Sequence, residues 1–139
     1  MPHDLLLQKI EDESIGGNFL KIIASYLSNR KQYVKVNNSV SETVPVTSGV
    51  PQGSLLGPLL FIIYVNDLPK QMNECKAFGY ADDFKLVSAK PESIQKDLVN
   101  IEKWCSENIM KLKESKCHIL PVKMYKDNEP IFTLNSKCL

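Results

Sequence analysis

The segment FGYADDF, residues 78–84, places two adjacent acidic side chains, Asp82 and Asp83, between two apolar runs. The runs near 75–80 and 84–89 have the length and composition of short strands, so the sequence predicts a β-hairpin with both aspartates at its tip. Adjacent carboxylates repel each other unless a cation neutralises them, and Mg²⁺ prefers such oxygen ligands. Paired metal ions can hold the attacking and leaving oxygens of a phosphoryl transfer. The alternative is a solvated turn, where aspartate is common, and periodicity alone does not separate the two.

A second candidate site is the loop GVPQGS, residues 49–54. Glycine lets a backbone approach a ligand closely, and the Gln52 side chain offers both a donor and an acceptor. We therefore expect a nucleotide or template base to bind near Gln52 and Gly53. The alternative is a turn that leads into the next helix, with Ser54 as its N-cap.

Lys116 is a third candidate, because a lysine beside a phosphate can stabilise developing negative charge or donate a proton. Lysine and arginine together make up 17 of the 139 residues. A solvated surface lysine is therefore the alternative interpretation of Lys116.

Hydrophobic periodicity predicts four helices and two further strands in a single α+β unit. The helices are expected at 4–13, 18–29, 54–68 and 91–110, and a hairpin is expected from 32–37 and 43–47. The helix 54–68 is so apolar that we expect it to be buried. The last helix should bury a stripe of five residues, Ile94, Leu98, Ile101, Cys105 and Ile109. Strand-like pieces from Cys117 to Leu134 are interrupted at Asp127-Asn128.

Composition restricts the possible classes only modestly. The chain is 43% hydrophobic and 24% charged, as in ordinary globular proteins, and its net charge of +1 gives no sign of a strongly basic nucleic-acid surface. Its longest apolar stretch, residues 55–65, is shorter than the roughly 20 residues that span a bilayer. None of the four cysteines forms a CxxC pair, so a zinc site is not indicated and buried, reduced thiols are expected.

Taken in order, these segments resemble the motifs of reverse transcriptases, RNA-directed DNA polymerases. The stretch from Gly49 to Phe61, with Asn66-Asp67-Leu68 after it, resembles the family's second palm motif. Residues 78–83 resemble its YxDD box, and Ala81 in the variable position is similar to enzymes of non-LTR (LINE-like) retrotransposons and group II introns. Trp104, Asn108 and Lys116 resemble the motif that follows. Residues 2–6 and 26–32 also resemble family segments, so the resemblance covers nearly the whole chain.

The resemblance implies roles for particular residues. Asp82 and Asp83 would be catalytic and would bind Mg²⁺ in a two-metal site, with Asp82 as the direct ligand. Lys116 would be the general acid for pyrophosphate departure. Gln52, Gly53, Tyr80 and Ala81 would contact nucleotide or template, and Tyr80 would also support the hairpin and contact the primer end.

The resemblance also implies an incomplete polymerase palm, with a small antiparallel sheet packed on helices, as a partial domain over residues 1–139. The partners of the complete enzyme would be RNA template, DNA primer and dNTPs, in an intracellular (nuclear or cytoplasmic) setting without a membrane. The family's first palm motif carries another metal-binding aspartate, which is expected upstream of Met1. We therefore expect the 139-residue chain by itself to be inactive. The alternative is a non-catalytic retroelement remnant that acts, if at all, as a nucleic-acid or protein interaction module.

Overall fold

The computed structural model describes residues 1–122 and 130–139, so the predicted break at Asp127-Asn128 lies outside the described residues. Helices and small antiparallel sheets alternate along the chain, which confirms the α+β class. The chain divides into two compact units, Met1–Asn66 and Asp67–Leu139, where the sequence had suggested one continuous unit. Over the described ranges, each helix is too short or too polar to cross a bilayer.

Three helices form the first unit: α1 (His3–Asp12), α2 (Gly17–Leu27) and α3 (Leu56–Val65). Helix α1 packs against both α2 and α3. Their facing side chains fall at helical spacing and become the core of this unit. The buried apolar residues are Leu6, Ile10, Ile23, Leu27, Leu60 and Tyr64.

A two-part β arm connects α2 to the loop before α3. Strands β1 (Lys31–Gln32) and β4 (Val44–Pro45) pair at its base, and β2 (Lys35–Val36) and β3 (Ser39–Val40) pair at its tip, all antiparallel. The predicted hairpin is therefore present, although its ladder is interrupted. Every residue of these four strands is exposed.

The second unit is built around one long helix, α4 (Pro91–Glu107). Before it come a 3₁₀ turn (Leu68–Gln71) and the antiparallel strands β5 (Lys76–Tyr80) and β6 (Asp83–Val87). After it come a second 3₁₀ turn (Glu114–Lys116) and a short hairpin of β7 (Thr133–Leu134) and β8 (Lys137–Cys138). Helix α4 contacts both the first 3₁₀ turn and β7.

The expectation that the apolar helix predicted at 54–68 is buried holds for one side only. Helix α3 buries Gly57, Leu60 and Tyr64 along one side. On the opposite side Leu59 and Ile62 are about half exposed, at 49% and 52%. The periodicity of this segment is nearly masked because almost all its residues are apolar, so the sequence could not reveal which side faces the core.

The predicted buried stripe of α4 was correct only in its middle, at Ile101 and Cys105. Ile94 and Leu98 are half-buried, and Ile109 lies beyond the helix, 66% exposed. The residues buried in the amino-terminal half of α4 are instead polar, Ser93 and Asp97. The amino-terminal half of α4 therefore presents a polar surface to its neighbours, where the pattern of apolar residues suggested an apolar one.

The prediction of buried thiols holds for one cysteine. Cys105 is buried, Cys75 and Cys117 are half-buried, and Cys138 is exposed. All four are free thiols. Burial raises the pKa of Cys105 to about 11, with a further contribution from the charge of Glu102, so this thiol is a poor nucleophile near neutral pH.

Candidate functional site

The hairpin of β5 and β6 holds the most prominent pair of acidic residues. Five residue pairs form its ladder, from Lys76 opposite Val87 to Tyr80 opposite Asp83. Ala81 and Asp82 are therefore the two loop residues, and Asp83 is the first residue of β6. The sequence placed both aspartates in the turn. In the structure Asp82 lies in the turn, as predicted. Asp83 is a strand residue instead, and its cross-strand partner is Tyr80, which is 84% exposed.

The turn of this hairpin has an unusual backbone conformation. Ala81 has a φ of 52°, in the left-handed region that residues with a Cβ rarely adopt. Two-residue hairpin loops require such conformations because their twist must match that of the strands, and glycine or asparagine usually occupies them. Alanine at this position therefore stores local strain at the tip that presents Asp82.

The start of β5 is fixed by a side chain that the sequence analysis overlooked, Asp97 of α4. Its carboxylate accepts backbone N–H bonds from Asn73, Glu74 and Cys75 at 3.1, 3.1 and 2.7 Å. Burial by itself would raise the pKa of Asp97, but these backbone hydrogen bonds outweigh it and hold the pKa below its ordinary value. An available signal was an acidic residue at helical spacing between Ser93 and Ile101, on the buried side of α4.

The loop 49–54 lies in the first unit and is shaped by its glycines. Gly53 has a φ of 76° and Gly49 a φ of 82°, conformations that suit glycine. Ser54 Oγ accepts a hydrogen bond from the Gly57 N–H at 2.9 Å and donates one to the Pro51 carbonyl at 2.9 Å. The hydroxyl therefore caps the start of α3, as the helix-entry interpretation expected. Gln52 and Gly53, in the middle of the loop, are exposed.

The first residues of the chain contact the same loop. Gly49 donates its N–H to the Met1 carbonyl at 2.8 Å, and its own carbonyl lies 2.8 Å from His3 Nε2. Pro2 and Ser48 form an isolated antiparallel bridge. The loop is thereby held at both of its ends, by the start of α1 and by the start of α3.

Lys116 is the last residue of the second 3₁₀ turn and is exposed. Its turn is connected to the carboxyl-terminal hairpin through Glu114, which accepts a hydrogen bond from Asn135 Nδ2 at 2.7 Å and lies 3.7 Å from Lys137 Nζ. At the end of α4, the Asn108 side chain donates to the Trp104 carbonyl at 2.8 Å, and both residues are buried. These contacts give the Lys116 segment a defined backbone.

The predicted site residues thus fall into three groups. Tyr80, Ala81, Asp82 and Asp83 share one hairpin, Lys116 lies on a separate turn of the same unit, and the loop 49–54 belongs to the other unit. Carboxylate oxygens at the hairpin suit a hard cation such as Mg²⁺. Among residues 1–122 and 130–139, no three His, Cys, Asp or Glu side chains come together as a ready-made metal cage.

Comparison with known proteins gives one family. A model of the reverse transcriptases (RNA-dependent DNA polymerases) matches residues 1–127. The probable RNA-directed DNA polymerase from transposon BS of Drosophila melanogaster is 32% identical over 127 residues, and the match covers 82% of this chain. The RNA-directed DNA polymerase from mobile element jockey of the same species is 28% identical over 109 residues, or 69% of this chain. The matches span 14% and 12% of these two relatives, so the chain corresponds to a small part of each.

Proposed function

The chain belongs to the reverse transcriptase family, and from this premise we propose that it is the palm segment of an RNA-directed DNA polymerase from a non-LTR retrotransposon. The observation that carries the proposal is the β5–β6 hairpin, which exposes Asp82 in its turn and Asp83 at the first strand position. The jockey and transposon BS relatives support the assignment to a mobile element.

The two aspartates act as metal ligands in this proposal. Their carboxylates would hold Mg²⁺ at the hairpin tip, with Asp82 as the direct ligand and Asp83 beside it. Two such ions supply Lewis-acid stabilisation of the oxygens that attack and leave during nucleotidyl transfer. Tyr80 and Asp83 form the last residue pair of the ladder, so Tyr80 would support the hairpin next to its turn. Its exposed ring would be available to contact the primer end.

The remaining candidates contact the substrates. Gln52 and Gly53 are exposed on a loop whose backbone is fixed at both ends, which suits contact with an incoming dNTP or a template base. Lys116 would donate the proton that accompanies pyrophosphate departure, since its exposed ammonium lies on a turn with a defined backbone. RNA template and DNA primer are the proposed partners, in an intracellular compartment.

The 139-residue polypeptide by itself is proposed to be inactive. Two carboxylates on adjacent residues cannot surround two metal ions, and the match covers only 14% of the transposon BS polymerase. Loss of one essential ligand commonly lowers activity by orders of magnitude. The alternative function, an interaction module without catalysis, becomes an outcome of the same test.

Primer extension on an RNA template decides between these functions. The part of this chain that aligns with the transposon BS polymerase is grafted into that polymerase in place of the segment it matches. The graft is compared with the isolated 139-residue chain. We expect extension by the graft, none by the isolated chain, and a loss of at least about 1,000-fold when the graft carries Asp82→Asn.

Glu107→Gln is the matched control, because it also removes one carboxylate from the same unit, at an exposed position where Glu107 pairs with Lys103. This control should keep the activity of the graft. Extension that survives Asp82→Asn would contradict the proposed site. Nucleic-acid binding without extension in any polypeptide would favour the interaction module.

A further inference from the structure

The β5–β6 hairpin has little apolar burial of its own. All ten residues of its two strands are exposed or half-buried. The half-buried ones, Ala77, Phe84 and Leu86, lie together on one face, while Phe78, Tyr80 and Val87 on the other are more than half exposed. Burial of apolar surface is the main source of tertiary stability, so side-chain packing alone fixes this hairpin weakly. Its position must depend on contacts elsewhere.

Those contacts lie at the turn 73–75, immediately before β5. Three consecutive backbone N–H groups there converge on the Asp97 carboxylate: Asn73 on Oδ1, and Glu74 and Cys75 on Oδ2. The Asn100 side chain donates a fourth bond to Oδ1 at 3.1 Å. Asp97 is 0% exposed, so its charge is desolvated, and these four donors together with the Cys75 thiol stabilise it.

The neighbours of Asp97 on α4 bind the same turn. Ser93 Oγ donates to Glu74 Oε2 at 3.2 Å, and Asn100 Nδ2 lies 3.2 Å from the Gln71 carbonyl. Ser93, Asp97 and Asn100 are spaced by four and three residues, so they form one face of the helix. This face of α4 therefore binds the backbone of residues 71 and 73–75 and the side chain of Glu74.

A carboxylate is the side chain that this arrangement requires. Both of its oxygens accept hydrogen bonds, and here each oxygen receives two. An amide of the same size has one accepting oxygen, and its NH₂ group would face N–H donors. The N–H groups that lose their acceptor would be buried without partners, and this lowers stability more than the loss of the hydrogen bonds alone.

We propose that Asp97 is a positioning residue of the polymerase site: by binding the backbone of residues 73–75 it fixes on α4 the hairpin that carries Asp82 and Asp83. The catalytic meaning of this role rests on the proposed function, whereas the mechanical role does not. In this role Asp97 acts through the backbone of residues 73–75, and it is not itself assigned to bind substrate or metal. It determines where the two carboxylates stand relative to the rest of the second unit.

Hydrogen exchange of the 139-residue chain tests the contact. In Asp97→Asn the amides of Asn73, Glu74 and Cys75 should exchange at least about 10-fold faster, since each loses a bond to a charged acceptor. The amides in the middle of α4 should keep their protection, and Glu107→Gln, the charge-matched control, should change neither region. Unchanged exchange at 73–75 in Asp97→Asn would overturn the proposal.

Residual dipolar couplings of backbone N–H groups test positioning itself, a property that a purely stabilising residue would leave unchanged in the folded state. In the wild type one alignment tensor should fit both α4 and the hairpin strands. In Asp97→Asn the hairpin couplings should shrink or depart from the tensor that still fits α4. A common tensor in the variant would overturn the proposal.

Asn100→Ala covers the case in which Asp97→Asn fails to fold. It keeps the carboxylate but removes the donors to Asp97 and to the Gln71 carbonyl, so it should accelerate exchange at residues 71–75 less than Asp97→Asn would. Absence of any acceleration there would count against the proposal. None of these measurements needs metal or activity. An inactive graft would therefore refute the proposed function without deciding whether Asp97 positions the hairpin.

Discussion

The β arm of residues 31–45 and the hairpin of residues 76–87 are both antiparallel and both lack buried strand residues, yet they are held differently. In the arm, two-residue ladders are joined by the exposed Ser41, whose Oγ accepts from the Val34 N–H at 2.8 Å. In the hairpin, an uninterrupted five-pair ladder starts from a turn that is bound to a buried charge, Asp97. A hairpin that must hold reactive side chains in a fixed position can thus be anchored through the turn that precedes it, while the faces of its strands stay accessible.

The largest contrast should come from removing the polar group that holds each region. Asp97→Ala should lower the free energy of unfolding of the second unit by about 3 kcal/mol, because buried N–H groups lose a charged acceptor. Ser41→Ala should cost under about 1 kcal/mol, since water replaces the lost bond at an exposed site. Urea unfolding followed by Trp104 fluorescence for the second unit, and by circular dichroism for the first, measures both. Equal losses of unfolding free energy in Asp97→Ala and Ser41→Ala would contradict this difference between the hairpin and the arm.

Low pH should weaken the contact between Asp97 and the turn 73–75, whereas the stability of the β arm should not change through this contact. The pKa of Asp97 is below its ordinary value, so its stabilising contribution is complete above the unfolded-state value and is lost as pH falls through the lower folded-state value. Lys96 is the basic group near this contact and lies 3.7 Å from Glu74. The Cys75 thiol, whose pKa is raised to about 11 by burial and by Asp97, stays neutral. Glu74 is another carboxylate beside this contact, and it accepts a hydrogen bond from Ser93 Oγ.

Unfolding in urea at several pH values, with Asp97→Asn as the reference, isolates this contribution. The advantage of the wild type over the variant should be constant near neutrality and should shrink below about pH 4. An advantage that grew on acidification would show that Asp97 is buried in its protonated form.

Close packing, rather than hydrogen bonding, should dominate at the loop before α3. A Cβ on Gly57 would lie 3.0 Å from the Pro51 carbonyl oxygen, a backbone atom that cannot move aside. Gly57→Ala should therefore destabilise the first unit by about 1–3 kcal/mol, despite the better helix propensity of alanine. Gly16→Ala is the control, because its Cβ would meet no atom within 4 Å and its φ is −123°. Thermal melts should separate the two variants.

The smallest effect is expected at the two hairpin turns. Ala81 (φ 52°) and Asn37 (φ 53°) share a left-handed backbone, but asparagine tolerates it far better than alanine does. Ala81→Gly should stabilise the second unit by up to about 1 kcal/mol, and Asn37→Gly should change the first by a few tenths at most. A stabilisation by Asn37→Gly equal to that of Ala81→Gly would contradict the idea that the turn at Ala81 is more strained than the turn at Asn37.

Local patterns in the sequence predicted the helices α1 and α2 and the strands β5 and β6 to within two or three residues. Their apolar spacing and turn residues act over short distances, so one window of sequence suffices. The polar face of α4 was missed because its partners, the N–H groups of residues 73–75, are some 22 to 24 residues away along the chain. The spacing of apolar residues does not indicate a buried polar contact of this kind.

The candidate site was predictable in part for the same reason. The placement of Asp82 in a hairpin turn followed from its flanking runs, whereas the first position of β6 for Asp83 depends on the loop length that the ladder selects. The roles of Gln52, Gly53 and Lys116 came from the family resemblance and stay predictions, because their relation to the hairpin is a matter of long-range assembly.

Binding of Mn²⁺, a paramagnetic substitute for Mg²⁺, to the 139-residue chain tests most directly the claim that the hairpin, and not the arm, carries the metal ligands. At substoichiometric Mn²⁺, the amide signals of residues 80–84 should broaden first, those of the arm 31–45 should stay sharp, and Asp82→Asn should abolish the broadening. Glu107→Gln should leave it unchanged. Broadening that began elsewhere, or that persisted at residues 80–84 in both Asp82→Asn and Asp83→Asn, would contradict the account.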